Sequence, residues 1–485
     1  MKTIIINEPF VKDFCRTQRW AARTRGRALR APDWLAYATA VLEEEGDEVE
    51  LYDFPAEGWN KDKLRDLVQR KQPEVVVLDA TTPSIYSDID CARIVKEEAD
   101  STVIMVGPHV SAVPEGTLKD AKGYVDVICR GEYDYTVRDV VNSVKRGDTL
   151  ERIPGISYRE RTGEIKHNPD RPLIENLDEL PFPAWHHLDI MKYFDGSKLY
   201  PYVDLIAGRG CPFRCIFCLW PQVMHGRNYR LRSARSVVDE MEHDIQHYAK
   251  LRKGLLRGEL FFEDDTFTVH KKRAHHICDE ILERDLDVIW SVNSRTDVVD
   301  LELFKKMKKA GCRMLLVGFE SGDQRMLDNM RKGLNVERSR TFAAVAKKAG
   351  LQIHGCFVLG LPGETRESME RSIKFAADVA MDTVQFSAAV PFPGTEYYDY
   401  CKKNRLLTAN DWRDWLDGGE QSTVVDYPGL GKREIVEYVD RGLKHVYFRP
   451  RYMVKFLLDT HSLSDLYRKV RGAKNFMSYL LSKGE

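Results

Sequence analysis

The sequence predicts an α/β protein: an N-terminal doubly wound sheet domain, then a partial barrel of six strand-to-helix units, then a mostly helical C-terminal region. Two observations carry this. Short apolar runs alternate with helical patterns through residues 1–145 and again through 201–404, and the rhythm lapses between them. The second block holds six strand-to-helix units, too few for a closed eight-stranded barrel, so the barrel is expected to be open.

In order, TIIIN, DEVELYDF, EVVVLDA, TVIMVGP and VDVICRGE read as the strands of the first domain, separated by helical stretches such as LAYATAVLEEEG and SDIDCARIVKEEA. Residues 146–200 read as a linker with two short strands, ISYRER and GEIKHN, and a proline-rich NLDELPFPAW. YVDLIAG, ELFFEDD, VIWSVNSR, RMLLVGFESG, IHGCFVLGLPG and TVQFSAAVPFPG supply the barrel strands. From 405 to 485 the pattern is mostly helical, ending in a basic tail rich in aromatic residues.

Composition excludes some function classes. The 485 residues carry 75 acidic and 74 basic side chains, so bulk charge points to no nucleic-acid partner. The N-terminus has no signal-peptide pattern and no apolar run reaches the roughly 18 residues of a membrane span, which predicts a cytoplasmic protein. Seven of the ten cysteines stand alone among apolar neighbours and read as reduced core thiols.

The other three are grouped. In AGRGCPFRCIFCLWPQ, Cys211, Cys215 and Cys218 have the spacing C-x3-C-x2-C. Thiolates so placed suit a soft metal centre, either zinc, which would need His225 as fourth ligand, or an iron-sulfur cluster; chance grouping is the remaining reading. A 4Fe-4S cluster held by three thiolates keeps one iron for a small molecule.

With this motif after the first barrel strand, residues 200 to 400 resemble the radical S-adenosylmethionine (SAM) superfamily. The resemblance implies that the open iron chelates SAM and that its cleavage yields a 5′-deoxyadenosyl radical, which takes hydrogen from an unactivated carbon. It implies cofactor contacts at strand ends: Glu263, Asp264 and Asp265 for the methionyl ammonium, and Asn293, Ser294 and Arg295 after the third strand. Glu320 and Ser321 would contact the ribose and carboxylate, and Gly360 and Gly363 would let backbone approach the adenine. A low-potential electron donor such as flavodoxin or ferredoxin is implied as a partner.

A doubly wound domain before such a barrel is similar to the cobalamin-binding (class B) subclass, as are GPHVSAVPEGTL and VDVICRGEYDYTV. The implied corrin contacts lie at the strand ends: Thr81, Thr82 and Ser84; Gly107, Pro108 and His109; Gly131 and Glu132. The D-x-H-x-x-G sequence is absent, so the resemblance implies cobalamin between the domains with no cobalt ligand from that motif, and His109 beside the corrin. Within the subclass, the segments look closest to the branch of hopanoid and lipid biosynthesis that contracts a ring.

Two stretches bear on the substrate. Arg16, Arg19, Arg23, Arg25, Arg27 and Arg30 crowd one loop, either to grip a phosphate or carboxylate or to contact acidic partners between domains. The tail from Tyr447 to Leu481 mixes basic with apolar residues at helical spacing, either to pack against the barrel or to contact an anionic membrane. The expected activity is a cobalamin-dependent radical reaction on a lipid-linked or anionic substrate; the alternatives are radical methyl transfer to a small metabolite or peptide, and a non-catalytic corrinoid- or metal-binding protein.

Overall fold

The structure is a computed structural model that describes every residue except 18–20, 161, 249–255, 380, 418, 461 and 483–485. The N-terminal sheet consists of β1 (Lys2–Asn7), β2 (Glu48–Asp53), β3 (Val75–Asp79), β4 (Thr102–Val106), β5 (Val127–Cys129), β6 (Ile156–Arg159) and β7 (Ile165–His167), in the order β2-β1-β3-β4-β5-β6-β7. The first five pair in parallel and the last two are antiparallel. Helices cover both faces, which is why β1 and β3 read as unbroken apolar runs. The strand order reverses between β1 and β3, and the crevice at their C-terminal ends faces the second domain. The stretch expected as a linker thus extends the first sheet through β6 and β7.

The barrel strands β8 (Tyr202–Leu205), β9 (Glu259–Phe262), β10 (Trp290–Ser294), β11 (Cys312–Glu320), β12 (Gln352–Leu359) and β13 (Thr383–Ala388) are all parallel and lie in sequence order, an open six-stranded arc. One hydrophobic core runs from Ile5 and Val77 of the first sheet to Phe261 and Val317 of the second. Helices Lys432–Tyr447, Pro450–Leu458 and Leu463–Ser482 follow. The Tyr447 hydroxyl donates to the Val384 carbonyl (2.7 Å) and accepts from its N–H (3.0 Å), satisfying backbone groups of the edge strand β13. Among the described residues no helix is long and apolar enough to cross a membrane.

The arginine loop stitches these parts together. Arg16 is fully buried at the crevice and donates to Asp88 Oδ1 (2.7 Å), Asn7 Oδ1 (3.1 Å) and the Glu8 carbonyl (2.7 Å). Arg25 binds Asp440 (2.6 Å), Arg23 and Arg27 share Glu420 (3.1 and 2.7 Å), and Arg30 binds Asp195 (2.8 Å) and Glu263 (3.3 Å). These arginines therefore make contacts within and between domains instead of an open anion grip, because a buried guanidinium is stable only beside an anion. Arg19 lies outside the described residues.

Burial pushes the Asp79 carboxyl up to about 7, with Arg16 opposing and Asp88 adding to the rise. The fold therefore favours its protonated form, and that contribution to stability is lost as pH rises from about 4 through about 7, at up to about 1.4 kcal/mol per pH unit. The difference in thermal midpoint between Asp79→Asn and wild type should shift in the variant's favour from pH 5.5 to pH 8; a difference independent of pH would contradict the assignment.

Candidate active site

Cys211, Cys215 and Cys218 line one cavity of about 200 Å³ at the C-terminal ends of the barrel strands. Gly210 has φ +92°, and a Cβ there would run into the Asn228 carbonyl, so only glycine admits this entry to the loop. The Gln222 amide donates to the carbonyls of Cys215 (3.4 Å), Ile216 (3.2 Å) and Cys218 (2.7 Å) and fixes the loop's far end. Ile216 adds backbone bonds to Met330 (3.2 Å) and Tyr397 (3.1 Å). His225, the ligand a zinc reading would need, instead stacks against Trp34 and Trp220 with ring centroids 4.2 and 5.1 Å away, and lines a separate small cavity.

Of the groups expected to contact SAM, Glu263, Asp265, Asn293, Ser294, Arg295 and Glu320 line the cysteine cavity. Arg295 lies 3.3 Å from the Phe213 ring centroid and donates to Asp297 (2.9 Å) and the Lys332 carbonyl (2.8 Å). Glu320 sits at φ +64°, paired to Lys332 at 2.7 Å. Burial works against the Lys332 charge, yet Glu320 holds its ammonium above the usual range. The site thus offers carboxylates for an ammonium and cations for a carboxylate, beside three thiols.

Four expected contacts fall elsewhere. Asp264 points away from the cavity and accepts from the Ala207 N–H (2.7 Å), Tyr229 (2.9 Å) and Arg273 (3.1 Å), tying β8 to β9. Ser321 bonds Ser372 Oγ (2.9 Å) and the Asp323 N–H (3.1 Å) in a turn. Gly360 and Gly363, at φ +90° and +88°, are required by helix packing: a Cβ on Gly360 would lie 2.8 Å from Ile435, and one on Gly363 would run into Asn329.

Sequence reasoning missed Gly318, Lys332, His354, Cys356, Gln385 and Ser387, all of which line the cavity. Strand alternation was the available signal: Leu316, Gly318 and Glu320 share one face of β11, and His354, Cys356 and Val358 one face of β12. Cys356, expected as a core thiol, faces this cavity.

Across the interface the two strand-end faces do meet. Arg209 of the barrel binds Asp134 at 2.7 Å, Arg230 binds Glu132 at 2.5 Å, and the Arg209 guanidinium lies 4.3 Å from the Trp34 ring centroid. The groups expected to hold a corrin are engaged with one another. Thr81 bonds Ser84 (2.8 Å), which donates to Asp88 (2.6 Å); Thr82 bonds His109 Nδ1 (3.1 Å); and the Gly131 N–H donates to Ser111 (3.0 Å). Gly107 is required by the chain itself, since a Cβ would lie 2.5 Å from Asp79, and Pro108 opens the short helix Pro108–Ala112. Trp412 closes over His109 with ring centroids 5.1 Å apart, and burial pushes the His109 imidazole down to about 3, so it is neutral. The cavity between Trp34, His225 and Glu263 holds only about 20 Å³. A corrin laid on these strand ends beside His109 would meet Trp412, which packs against that imidazole. Trp412→Ala should therefore take up hydroxocobalamin faster than wild type in a stopped-flow absorbance measurement; an unchanged rate would place the entry elsewhere.

Comparison with known proteins agrees with the architecture. Residues 205–376 match the radical SAM superfamily and residues 31–141 the B12 binding domain. The chain is 34% identical to an uncharacterized methyltransferase of Pyrococcus horikoshii, over 91% of this chain and 93% of that one. It is 30% identical to the anaerobic magnesium-protoporphyrin IX monomethyl ester cyclase of Rubrivivax gelatinosus, over 80% of this chain and 71% of that one. Among solved structures it has the fold of the radical SAM methyltransferase TsrM of Kitasatospora setae, with a TM-score of 0.73, 17% identity and 99% of both chains covered.

Proposed function

The chain belongs to the cobalamin-dependent radical SAM enzymes, and we propose that it attacks an unactivated carbon of a lipid-linked or otherwise apolar, anionic substrate held beside the barrel. One observation carries the substrate class. A second cavity of about 460 Å³, walled by Phe386, Leu443, Tyr447, Tyr452, Phe456 and Phe476, shares Arg30, Ser197, His354, Gln385 and Gln421 with the cysteine cavity. Arg468 and Lys469 also line it, both paired with Asp465 at 2.6 and 3.1 Å, and Arg30 at the junction lies between Asp195 and Glu263, so an apolar chamber ends in a charged rim that an anionic group can address. Burial pushes His354, at the junction, down to about 4, so it is a neutral hydrogen-bonding group.

When bound, the cluster supplies the electron that splits SAM into methionine and a 5′-deoxyadenosyl radical, and cobalamin supplies a second reactive centre. The chain's own part is placement. Cys211, Cys215 and Cys218 would hold the cluster, Glu263 and Asp265 would take the methionyl ammonium, and Arg295 and Lys332 would face its carboxylate. The aromatic wall presents an apolar surface next to the radical site. A low-potential donor of the flavodoxin or ferredoxin type would deliver the electron.

Reduced enzyme given perdeuterated membrane lipid should produce 5′-deoxyadenosine heavier by one deuterium, because the hydrogen atom moves from substrate to the 5′ carbon. Deuterium arriving only from a labelled peptide or soluble metabolite would contradict the substrate class. Methyl transfer is the second reading, favoured by the Pyrococcus relative; S-adenosylhomocysteine formed together with a methylated product would select it over cyclisation, rearrangement or ring contraction. Gly472→Leu tests the cavity itself. A Cβ there has no neighbour nearer than Gly196 at 4.0 Å, so a larger side chain starts from an open position on the cavity wall, and an unchanged thermal midpoint checks that the fold accepts it. Substrate turnover should fall by about tenfold or more while uncoupled SAM cleavage persists; equal loss of both would contradict a substrate role.

A further inference from the structure

The last helix, Leu463–Ser482, is amphipathic with its faces reversed. Its buried side carries Ser464, Asp465, Arg468 and Lys469, each at most 8% exposed. The opposite side carries Leu463, Leu466, Val470, Met477 and Leu481, 44 to 71% exposed and spaced three, four, seven and four residues apart. Of eleven large apolar side chains exposed among the described residues, ten lie between Phe448 and Leu481, so this is one patch and not the scatter normal on a soluble surface.

Two further features say what covers the patch. Residues 444–482 contain eight Lys or Arg against two Asp; with Arg468, Lys469 and Asp465 set aside on the buried side, six basic residues and one acidic remain in a chain whose net charge is −1, so the patch sits in the basic part of an otherwise acidic molecule. Phe448, Met453 and Met477 belong both to the exposed patch and to the wall of the 460 Å³ cavity, so the patch surrounds an apolar opening that leads toward the SAM site. A second copy of the chain is disfavoured, because a two-fold contact would set like charges against each other.

We propose that helices Pro450–Leu458 and Leu463–Ser482 dock on the surface of an anionic lipid bilayer, with the apolar ridge in the acyl boundary, the basic side chains at the headgroups and the cavity mouth facing the lipid. Docking stands on the ridge and the charge; only the passage of a lipid through the mouth rests on the substrate class proposed above.

The test is sedimentation of the full chain with vesicles of phosphatidylcholine alone or mixed equally with phosphatidylglycerol. The chain should bind the anionic vesicles about tenfold or more tightly than the neutral ones. The double variant Val470→Glu, Leu481→Glu should lose about tenfold in that affinity at an unchanged thermal midpoint, both sites being exposed. No binding to anionic vesicles, or binding indifferent to the double variant, would overturn the proposal. So would a dimer in analytical ultracentrifugation that the same variant dissociates, since the ridge would then belong to a second copy. Vesicle binding without deuterium transfer from lipid would sink the substrate class and leave the docking surface standing; deuterium transfer without vesicle binding would do the reverse.

Discussion

Cys215→Ala should reduce the iron bound after anaerobic reconstitution from about four per chain to near zero and bring SAM cleavage to background. Two thiolates cannot anchor the cluster that three hold, and the loss should be one of chemistry and not of folding. Gln222 still fixes the loop carbonyls, and Ile216 still bonds Met330 and Tyr397, so the far-ultraviolet circular dichroism and thermal midpoint of the metal-free chain should stay close to wild type. Cys211→Ala and Cys218→Ala should behave alike, because both thiols line the same cavity. His225→Ala should keep the iron, since its ring is stacked on Trp34 and Trp220. Equal metal loss from His225→Ala would bring back a four-ligand zinc site.

Arg16→Met should be the most destabilising single change in the arginine loop, by about 3–5 kcal/mol. The guanidinium is buried among Asp88 (2.7 Å), Glu8 (3.7 Å) and the Asn7 amide. Burial already pushes Glu8 and Asp88 up, and Arg16 is the cation that opposes it in both. Removing it leaves buried carboxyls that must either stay charged without a partner or take up protons. Arg27→Ala, by contrast, removes a partly buried bidentate partner of Glu420, which keeps Arg23 at 3.1 Å, and should cost less, about 1.5–3 kcal/mol. Urea unfolding of the two variants separates the roles. A stable Arg16→Met that binds substrate poorly would restore the reading of this loop as an anion grip.

The strands and the cysteine loop were legible because their physics is local. A parallel strand covered on both faces is apolar throughout, as in TIIIN, and three thiols within eight residues need no distant partner to be noticed. The side-chain assignments that moved are those decided at long range. Asp264 and Asp265 are neighbours in sequence, yet the first turns to Arg273 and the second to the cavity. Arg25 meets Asp440 and Arg30 meets Asp195, partners that no spacing rule connects. The helical period of the tail was visible, but which of its faces would be buried was not: hydrophobicity alone would have turned Leu466 and Val470 inward, and the pairing of Arg468 and Lys469 with Asp465 turned them out.

The most direct measurement is mass spectrometry of the nucleoside products formed from SAM by the anaerobically reconstituted, reduced enzyme. Radical chemistry in this barrel requires 5′-deoxyadenosine from the wild-type chain and none from the Cys211→Ala, Cys215→Ala, Cys218→Ala triple variant. Protein that carries about four irons yet yields neither 5′-deoxyadenosine nor S-adenosylhomocysteine would contradict it and make the chain a binding protein with the architecture of an enzyme.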